Sequence, residues 1–280
     1  FRLKDEVPPP PLPGIPPSAA TVRFVLSAEI SCIYKRHGVV RKVHNLIYVP
    51  DFSSAERIAA RLAEIGNVES DGRPILGLDS RNLLEIVLEN APEGFLVPAH
   101  VWTPWFSLFG SKSGFNQIEE CFGDLTPHVF AMETGLSSDP DMNRRISALD
   151  RFALISNSDC HSPSRLGREA NLFSTGFDFY SLRDALRRNN RKTFRGTIEF
   201  YPEEGKYHLD GHRACKVRME PEETRAVENR CPVCGKALTV GVLNRVMELA
   251  DRDTPVFSPE SPLFHSLVPL PEILAELLGV

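Results

Sequence analysis

With 280 residues, 42% of them hydrophobic and 25% charged, the chain has an ordinary globular composition, large enough for one sizeable core with a small module beside it. Its net charge of −5 excludes a protein coated all over with basic residues, while leaving room for a local basic patch. No apolar run approaches the ~18–20 residues of a membrane helix, and nothing in the sequence has the form of a secretory signal.

In chain order, "VPPPPLPGIPP" comes first, a rigid polyproline-like stretch that cannot pack as helix or interior strand. The first residue, Phe1, and the abrupt ending "PLPEILAELLGV" mark both ends as expected cut points. "VRFVLSAEIS" and "VHNLIYVP" read as strands, rich in Val, Ile and aromatics. "SSAERIAARLAEIG" predicts a helix with Ile58, Leu62 and Ile65 on one face and Gly66 as its C-cap. "DSRNLLEIVLEN" predicts another, capped by Asp79. "GFLVPAH", "PHVFAMETG" and "RFALISNSDCH" are short apolar runs of buried-strand type. "SLRDALRRNN" opens with Ser181 and Asp184 in capping-box spacing. This alternation favours a parallel α/β barrel or a doubly wound sheet, and no internal repeat of fixed period is visible.

Polar residues fall at telling places in that pattern. Glu29 follows "RFVLSA", His100 follows "FLVPA", Glu133 follows "VFAM", and Asp159 with His161 follow "ALISNS"; His44 sits within "KVHNLIY". Barrel active sites are built where strand ends converge on one mouth. A single such histidine or glutamate is more often a satisfied polar group, but six in corresponding places point to a polynuclear metal site. Carboxylates with imidazoles suit zinc, manganese, iron or magnesium.

Cysteine usage points the same way. Cys32, Cys121 and Cys160 are scattered, whereas Cys215, Cys231 and Cys234 cluster; without an export signal this favours a reducing compartment, the cytoplasm, and metal binding over disulfides. His212 and Cys215 are spaced H-x-x-C, and Cys231 and Cys234 are spaced C-x-x-C, so together they offer zinc a tetrahedral set, with His208 a weaker substitute for His212. The plain alternative is a buried cysteine pair beside two surface histidines. Few apolar residues lie between Lys206 and Lys236, so a structural zinc would fold this segment.

Two stretches bear on the substrate. "VWTPWFSLFGSKSGF" brings Trp102, Trp105, Phe106, Phe109 and Phe115, any of which either stacks on a base or pins a long loop to the body of the protein. Arg187, Arg188, Arg191, Lys192 and Arg195 form a basic run that either contacts phosphates or is a solvated helix face.

The segments "SAEISCIYKRHGVVRKVHNLIY", "PAHVWTPWFSLFGSKSGFNQIEECFGDL", "AMETGLSSDP" and "ISNSDCHSPSRLGREAN" resemble the polymerase-and-histidinol-phosphatase (PHP) superfamily and, within it, the endonuclease Q family of DNA repair nucleases. The resemblance runs from about Arg23 to about Leu278. It implies a distorted β/α barrel, N-terminally incomplete, over residues 1–200, a zinc-binding module over 201–240 and a helical segment over 241–280. It also implies that Glu29, His44, His100, Glu133, Asp159 and His161 hold a divalent metal cluster, of zinc with or without magnesium or manganese. The superfamily's opening H-x-H motif and the acid after it are not in this sequence; His37, the first histidine, follows Glu29.

The activity implied is metal-dependent hydrolysis of a phosphodiester 5′ to a deaminated base, uracil or hypoxanthine, or to an abasic site. DNA carrying such lesions would be the partner, contacted by Trp102, Trp105, Arg188 and Arg191, with no membrane involved. Reading one altered base requires turning it out of the stack. Closely spaced divalent ions activate water and shield developing charge, so no side-chain nucleophile is needed. Strand alternation turns Cys160 away from its neighbours Asp159 and His161. Two other readings are a small-molecule phosphatase on the same barrel and a non-catalytic nucleic-acid-binding module. The zinc module and the aromatic loop argue against the first, and the missing H-x-H motif keeps the second open.

Overall fold

The computed structural model describes residues 23–69 and 72–279; the proline-rich stretch lies outside them. The first feature is a long hairpin, β1 (Leu26–Arg36) and β2 (Val39–Val49), paired antiparallel from Leu26–Val49 to Arg36–Val39. His37 and Gly38 both have positive φ, 51° and 79°, which lets two residues turn the chain with the twist that the strands need. The sequence reading ended the first strand near Ser31; pairing carries it to Arg36. Glu29 therefore lies inside the hairpin and not at a strand end, and His44 lies within β2 as its apolar surroundings imply.

Helix α1 (Phe52–Ala63) is capped by Asp51, whose carboxylate accepts from the Ser54 N–H at 2.7 Å. It buries Ile58 and Leu62 but ends at Ala63, so Ile65 is exposed and Gly66 lies beyond the cap, Glu64. The short β3 (Ile75–Leu76) runs parallel to β1. Helix α2 (Ser80–Asn90) has the expected Asp79 cap and buries Leu83, Leu84 and Val87. Strand β4 (Phe95–Pro98) returns antiparallel to β2 and completes a four-stranded sheet in the order β3-β1-β2-β4.

After the aromatic loop come α3 (Ile118–Phe122), β5 (Ala131–Glu133), α4 (Pro140–Asn143) and β6 (Ala153–Ile155), with β5 and β6 a parallel pair. Strand β7 (Ala170–Phe173) leads to α5 (Phe179–Arg188). That helix starts two residues before Ser181, because the Asp178 carboxylate takes the Ser181 N–H at 3.0 Å and so becomes the cap. Strand β8 (Phe194–Glu199) is antiparallel to β7 and parallel to a late strand, β11 (Leu263–Ser266). Between them lie the small hairpin β9 (Asp210–His212) and β10 (Val217–Met219), then α6 (Pro221–Ala226) and α7 (Val242–Leu249); α8 (Leu270–Leu278) follows β11.

The fold is mixed α/β, and among the described residues the strands form four separate sheets with both parallel and antiparallel pairings. A uniformly parallel sheet is ruled out by the hairpin alone, since a two-residue turn joins only antiparallel neighbours. The segment over 241–280 is not purely helical: β11 extends the β8 sheet, and Val242 and Val246 of α7 are fully buried in the main core. That core runs from Ile30, Val43 and Leu62 through Trp102, Phe109 and Phe115 to Phe122 and Phe152. A second cluster packs Phe95, Val97 and Ile155 against Leu186 and Phe194.

Candidate metal centre

Strand register brings the first donors together. His44 pairs with Ser31, two residues along β1 from Glu29, so both side chains leave the same face of the hairpin as diagonal neighbours. The opposite face buries Ile30, Cys32 and Val43. His100 arrives two residues after β4, with Ala99 bonded to the His44 carbonyl at 3.0 Å. The result is a compact triangle: His44 Nδ1 lies 3.0 Å from Glu29 Oε1 and 3.1 Å from His100 Nε2, which is itself 3.6 Å from Glu29 Oε1. With metal–ligand distances of ~2.0–2.2 Å, donors sharing one ion stand roughly 3.0–3.5 Å apart, so this carboxylate and these two imidazoles have the spacing of a coordination site.

Surrounding groups orient the three. Arg73 donates to Glu29 Oε1 at 2.8 Å. His100 Nδ1 is hydrogen-bonded with the Thr103 hydroxyl at 3.2 Å, which orients the ring so that Nε2 faces the triangle. The ring of Phe106 lies against that of His44, tilted by 33° with the centroids 4.8 Å apart. Burial pushes the Glu29 carboxyl up, but hydrogen bonds from His100 and His44 and the nearby positive charge outweigh it, holding it far below the carboxylate range. Burial also drives the His44 pKa down. It lowers His100 too, but there the hydrogen bond to Glu29 and the charges of Glu133, Asp159 and Glu29 prevail and raise it.

Glu133 and Asp159 border the triangle. Glu133 Oε2 accepts from the His100 backbone N–H at 2.8 Å and Oε1 from Asn157 at 2.7 Å; burial raises its pKa. Asp159 is close enough for its charge to act on both His100 and Glu133. His100 and Asp159 both adopt left-handed backbone, with φ of 30° and 43°, a cost that bulky residues carry mainly at functional sites. Gly135 accommodates one of these bends: a Cβ there would stand 2.6 Å from that of His100.

Of the six expected residues, Glu29, His44 and His100 bring donor atoms within 4.8 Å of one another, and Glu133 and Asp159 stand beside them. The His161 side chain is 79% exposed, and its Nδ1 lies 2.9 Å from the Asp159 carbonyl oxygen, a local contact. Cys160 is also exposed.

Several supporting residues escaped the sequence reading. Arg168 forks onto the Ser158 carbonyl at 2.9 and 3.1 Å, and the Gly167 N–H donates to Ser158 Oγ, so the "RLGREAN" segment fixes the backbone just ahead of Asp159. Asn171 donates to Asn157 Oδ1 at 3.0 Å and to the Ser156 carbonyl at 2.9 Å. Asn157 had a signal, since a period of two places it on the face of Asp159. Glu169 and Glu199 had none; burial drives their carboxyls up to about 8 and about 7.

A second donor group is separate. Ligand atoms of His212, Cys215, Cys231 and Cys234 all lie within 4.8 Å of one another, with Cys234 Sγ 3.4 Å from His212 Nδ1. The first pair sits at the β9–β10 turn, where Lys216 takes left-handed backbone. The second is wound into a tight knuckle: the Gly235 N–H bonds the Cys231 carbonyl, and the Cys231 N–H bonds the Lys236 carbonyl, each at 2.8 Å. Burial pushes the Cys231 thiol up, but the N–H groups of Cys234 and Val233 and the neighbouring Cys234 and His212 bring it down to about 7, towards the thiolate that binds metal. A hydrogen bond with Cys234 leads the rise of Cys215 to about 11. His208, the alternative ligand, is buried outside this group.

Of the expected substrate contacts, Trp102 is a core residue, 1% exposed, with its indole N–H on Asn143 Oδ1 at 2.8 Å. Trp105 is 38% exposed. Strands β5, β6 and β8 end together, with Thr134 bonded to Glu199 and Ser156 to the Ile198 carbonyl, whereas Arg188 and Arg191 precede β8, Arg195 is at its start and Arg187 lies over Phe130 ahead of β5. The basic run occupies the opposite end of these strands.

No family model matches the chain. It is 35% identical over 188 residues to the uncharacterised protein MJ0043 of Methanocaldococcus jannaschii, covering 64% of this chain and 22% of that protein. It is 32% identical over 215 residues to the uncharacterised protein YqxK of Bacillus subtilis, covering 75% and 52%. The chain thus spans about a fifth and about half the length of these curated relatives. Among solved structures, the lesion-specific endonuclease PfuEndoQ from Pyrococcus furiosus matches with a TM-score of 0.74 at 31% identity, over 90% of this chain and 60% of that one. An endonuclease Q bound to a 27-mer duplex with an abasic lesion at its active site matches with a TM-score of 0.76 at 30% identity, over 90% and 61%. In sequence and in fold, the chain is endonuclease Q-like.

Proposed function

We propose that the chain carries the catalytic centre of a metal-dependent DNA repair endonuclease on a distorted PHP-type barrel. It would hydrolyse the phosphodiester 5′ to a deaminated base, uracil or hypoxanthine, or to an abasic site. The observation that carries this reading is the Glu29–His44–His100 triangle, whose 3.0–3.6 Å edges suit one divalent ion, in a chain that resembles lesion-specific endonucleases. The abasic duplex held by the related endonuclease Q supports DNA as the substrate class.

Divalent metal, when bound, would lower the pKa of a water molecule and offset charge on the phosphate. The chain's own residues prepare the site. Arg73 holds the Glu29 carboxylate, Thr103 fixes the His100 ring, and Glu133 locks the His100 backbone while facing Asn157. Asp159 adds a second carboxylate at the border, and Arg168 holds its loop. Cys160 is outside the donor group and supplies no nucleophile in this scheme. The separate cysteine–histidine group would hold a structural zinc.

The deciding assay gives the full chain matched duplexes containing uracil, hypoxanthine, an abasic site or no lesion, with added zinc, magnesium or manganese, beside a chromogenic phosphomonoester. Nicking 5′ to a lesion, abolished by chelator, is the expected result. Turnover of the phosphomonoester without nicking would replace the proposal with a phosphatase. Salt-sensitive DNA binding without nicking at any metal concentration would leave a binding module.

A further inference from the structure

The basic run of α5 sits at the wrong end of the strands, yet another set of cations lies near the candidate metal centre. A groove of about 520 Å³ opens between the aromatic loop and the β9–β10 hairpin. Trp105 forms one wall and meets Tyr207 edge-on, 6.2 Å between ring centroids. Lys206, Arg213, Lys216 and Arg218 line the rest, and all four are exposed. Arg218 reaches the Glu203 carbonyl and Lys206 lies over the Tyr207 ring at 5.1 Å. Asp210, the acid in the lining, is engaged by the Gly241 N–H and by Asn244 at 2.6 Å.

We infer that this groove takes the sugar-phosphate backbone of a DNA strand on its way to the metal centre, with one base against Trp105 and Tyr207. The inference rests on the nuclease reading and adds the surface that holds the substrate. Three observations carry it. Four cations concentrate in one groove of a chain whose net charge is −5, which complements a polyanion. Exposed Trp105 and half-buried Tyr207 stand among them, and aromatics beside cations bind nucleic acid by stacking and backbone attraction together. The wall is also continuous with the site: the ring of Phe106, beside Trp105, lies against that of His44, while Thr103, two residues before Trp105, bonds both His100 and the Trp105 carbonyl.

The hairpin that presents Arg213 and Lys216 is the one whose turn carries His212 and Cys215. A zinc ion at the cysteine–histidine group would therefore hold the cationic wall in place as well as fold the module.

The test measures anisotropy of a labelled duplex with one abasic-site analogue over a salt series, with calcium replacing the catalytic metal. It compares the unaltered protein with Lys206→Ala/Arg213→Ala/Lys216→Ala/Arg218→Ala and with Trp105→Ala; circular dichroism and zinc content confirm that each is folded. The fourfold variant is expected to bind on the order of 100-fold more weakly, and its log affinity against log salt to flatten by about three to four. Trp105→Ala is expected to weaken binding about tenfold with the slope unchanged. If both variants bind as the parent does while the parent nicks lesions, the groove assignment falls and the nuclease reading stands. If the parent neither binds nor nicks any duplex, both fall. Equal displacement by an RNA duplex of the same sequence would overturn the assignment to DNA.

Discussion

The two donor groups of this molecule are built in opposite ways. His212, Cys215, Cys231 and Cys234 come from two short spacings within 23 residues, at a surface hairpin with little apolar packing. Glu29, His44 and His100 span 72 residues and meet because β1, β2 and β4 pair in one register over a large core. On the proposed reading, the first group would need its ion in order to fold, whereas the second is framed by the core and would offer an ion a prepared site. Metal removal should therefore be a structural event in one region and a chemical one in the other.

The sharpest way to break that comparison is His100→Ala. It should abolish lesion nicking, by on the order of a thousandfold or more, while leaving the thermal midpoint nearly unchanged, since the core would keep the triangle's frame. A collapse of the midpoint together with activity would make the triangle a structural element. The mirror experiment is Cys231→Ser with Cys234→Ser. One equivalent of zinc should be lost and DNA affinity with it, and proteolysis should cut selectively between Lys206 and Lys236. Full zinc retention would remove the cysteine–histidine site.

Smaller effects refine the picture of support. Arg168→Ala frees the Ser158 carbonyl and loosens the Asp159 loop; nicking should fall roughly 10–100-fold, with the cysteine–histidine zinc unaffected. Unchanged kinetics would mean that Asp159 needs no such brace. The gentlest probe is pH. Burial raises the carboxyl of Glu169 to about 8 and that of Glu199 to about 7 in the folded protein, so the native state binds these protons more tightly than the unfolded chain. Their contribution is intact below the unfolded carboxyl pKa and is lost as pH rises through about 7 and 8, so the thermal midpoint should decline between about pH 5 and about pH 9. Glu169→Gln, which cannot ionise, should shrink that decline in a melting series; an identical decline would clear Glu169 of the effect.

Legibility in the sequence followed the same division. Local spacing disclosed the cysteine–histidine group outright, because its ligands lie close along the chain. For the triangle, the residue types and their attachment to apolar runs were readable, but the geometry was not. Glu29 reads as a strand end and His44 as a residue within a strand, yet they are diagonal partners inside one hairpin, a relation fixed by pairing register and invisible to periodicity. Arg73 and Arg168 reach the site from loops, so no pattern announced them. Trp102 and Trp105 sit in one motif, yet the first is swallowed by the core and the second lines a groove, a difference that only the path of the loop decides.

Arg245 bears on that path. From α7 its guanidinium reaches the carbonyls of Phe109 and Phe115 and the side chain of Asn116, at 2.9, 3.1 and 2.6 Å. One cation thus rivets the far end of the loop that begins at His100 to a helix some 130 residues downstream. The late segment works as a backstop, setting how stiffly His100 and Trp105 are presented at the two ends of that stretch.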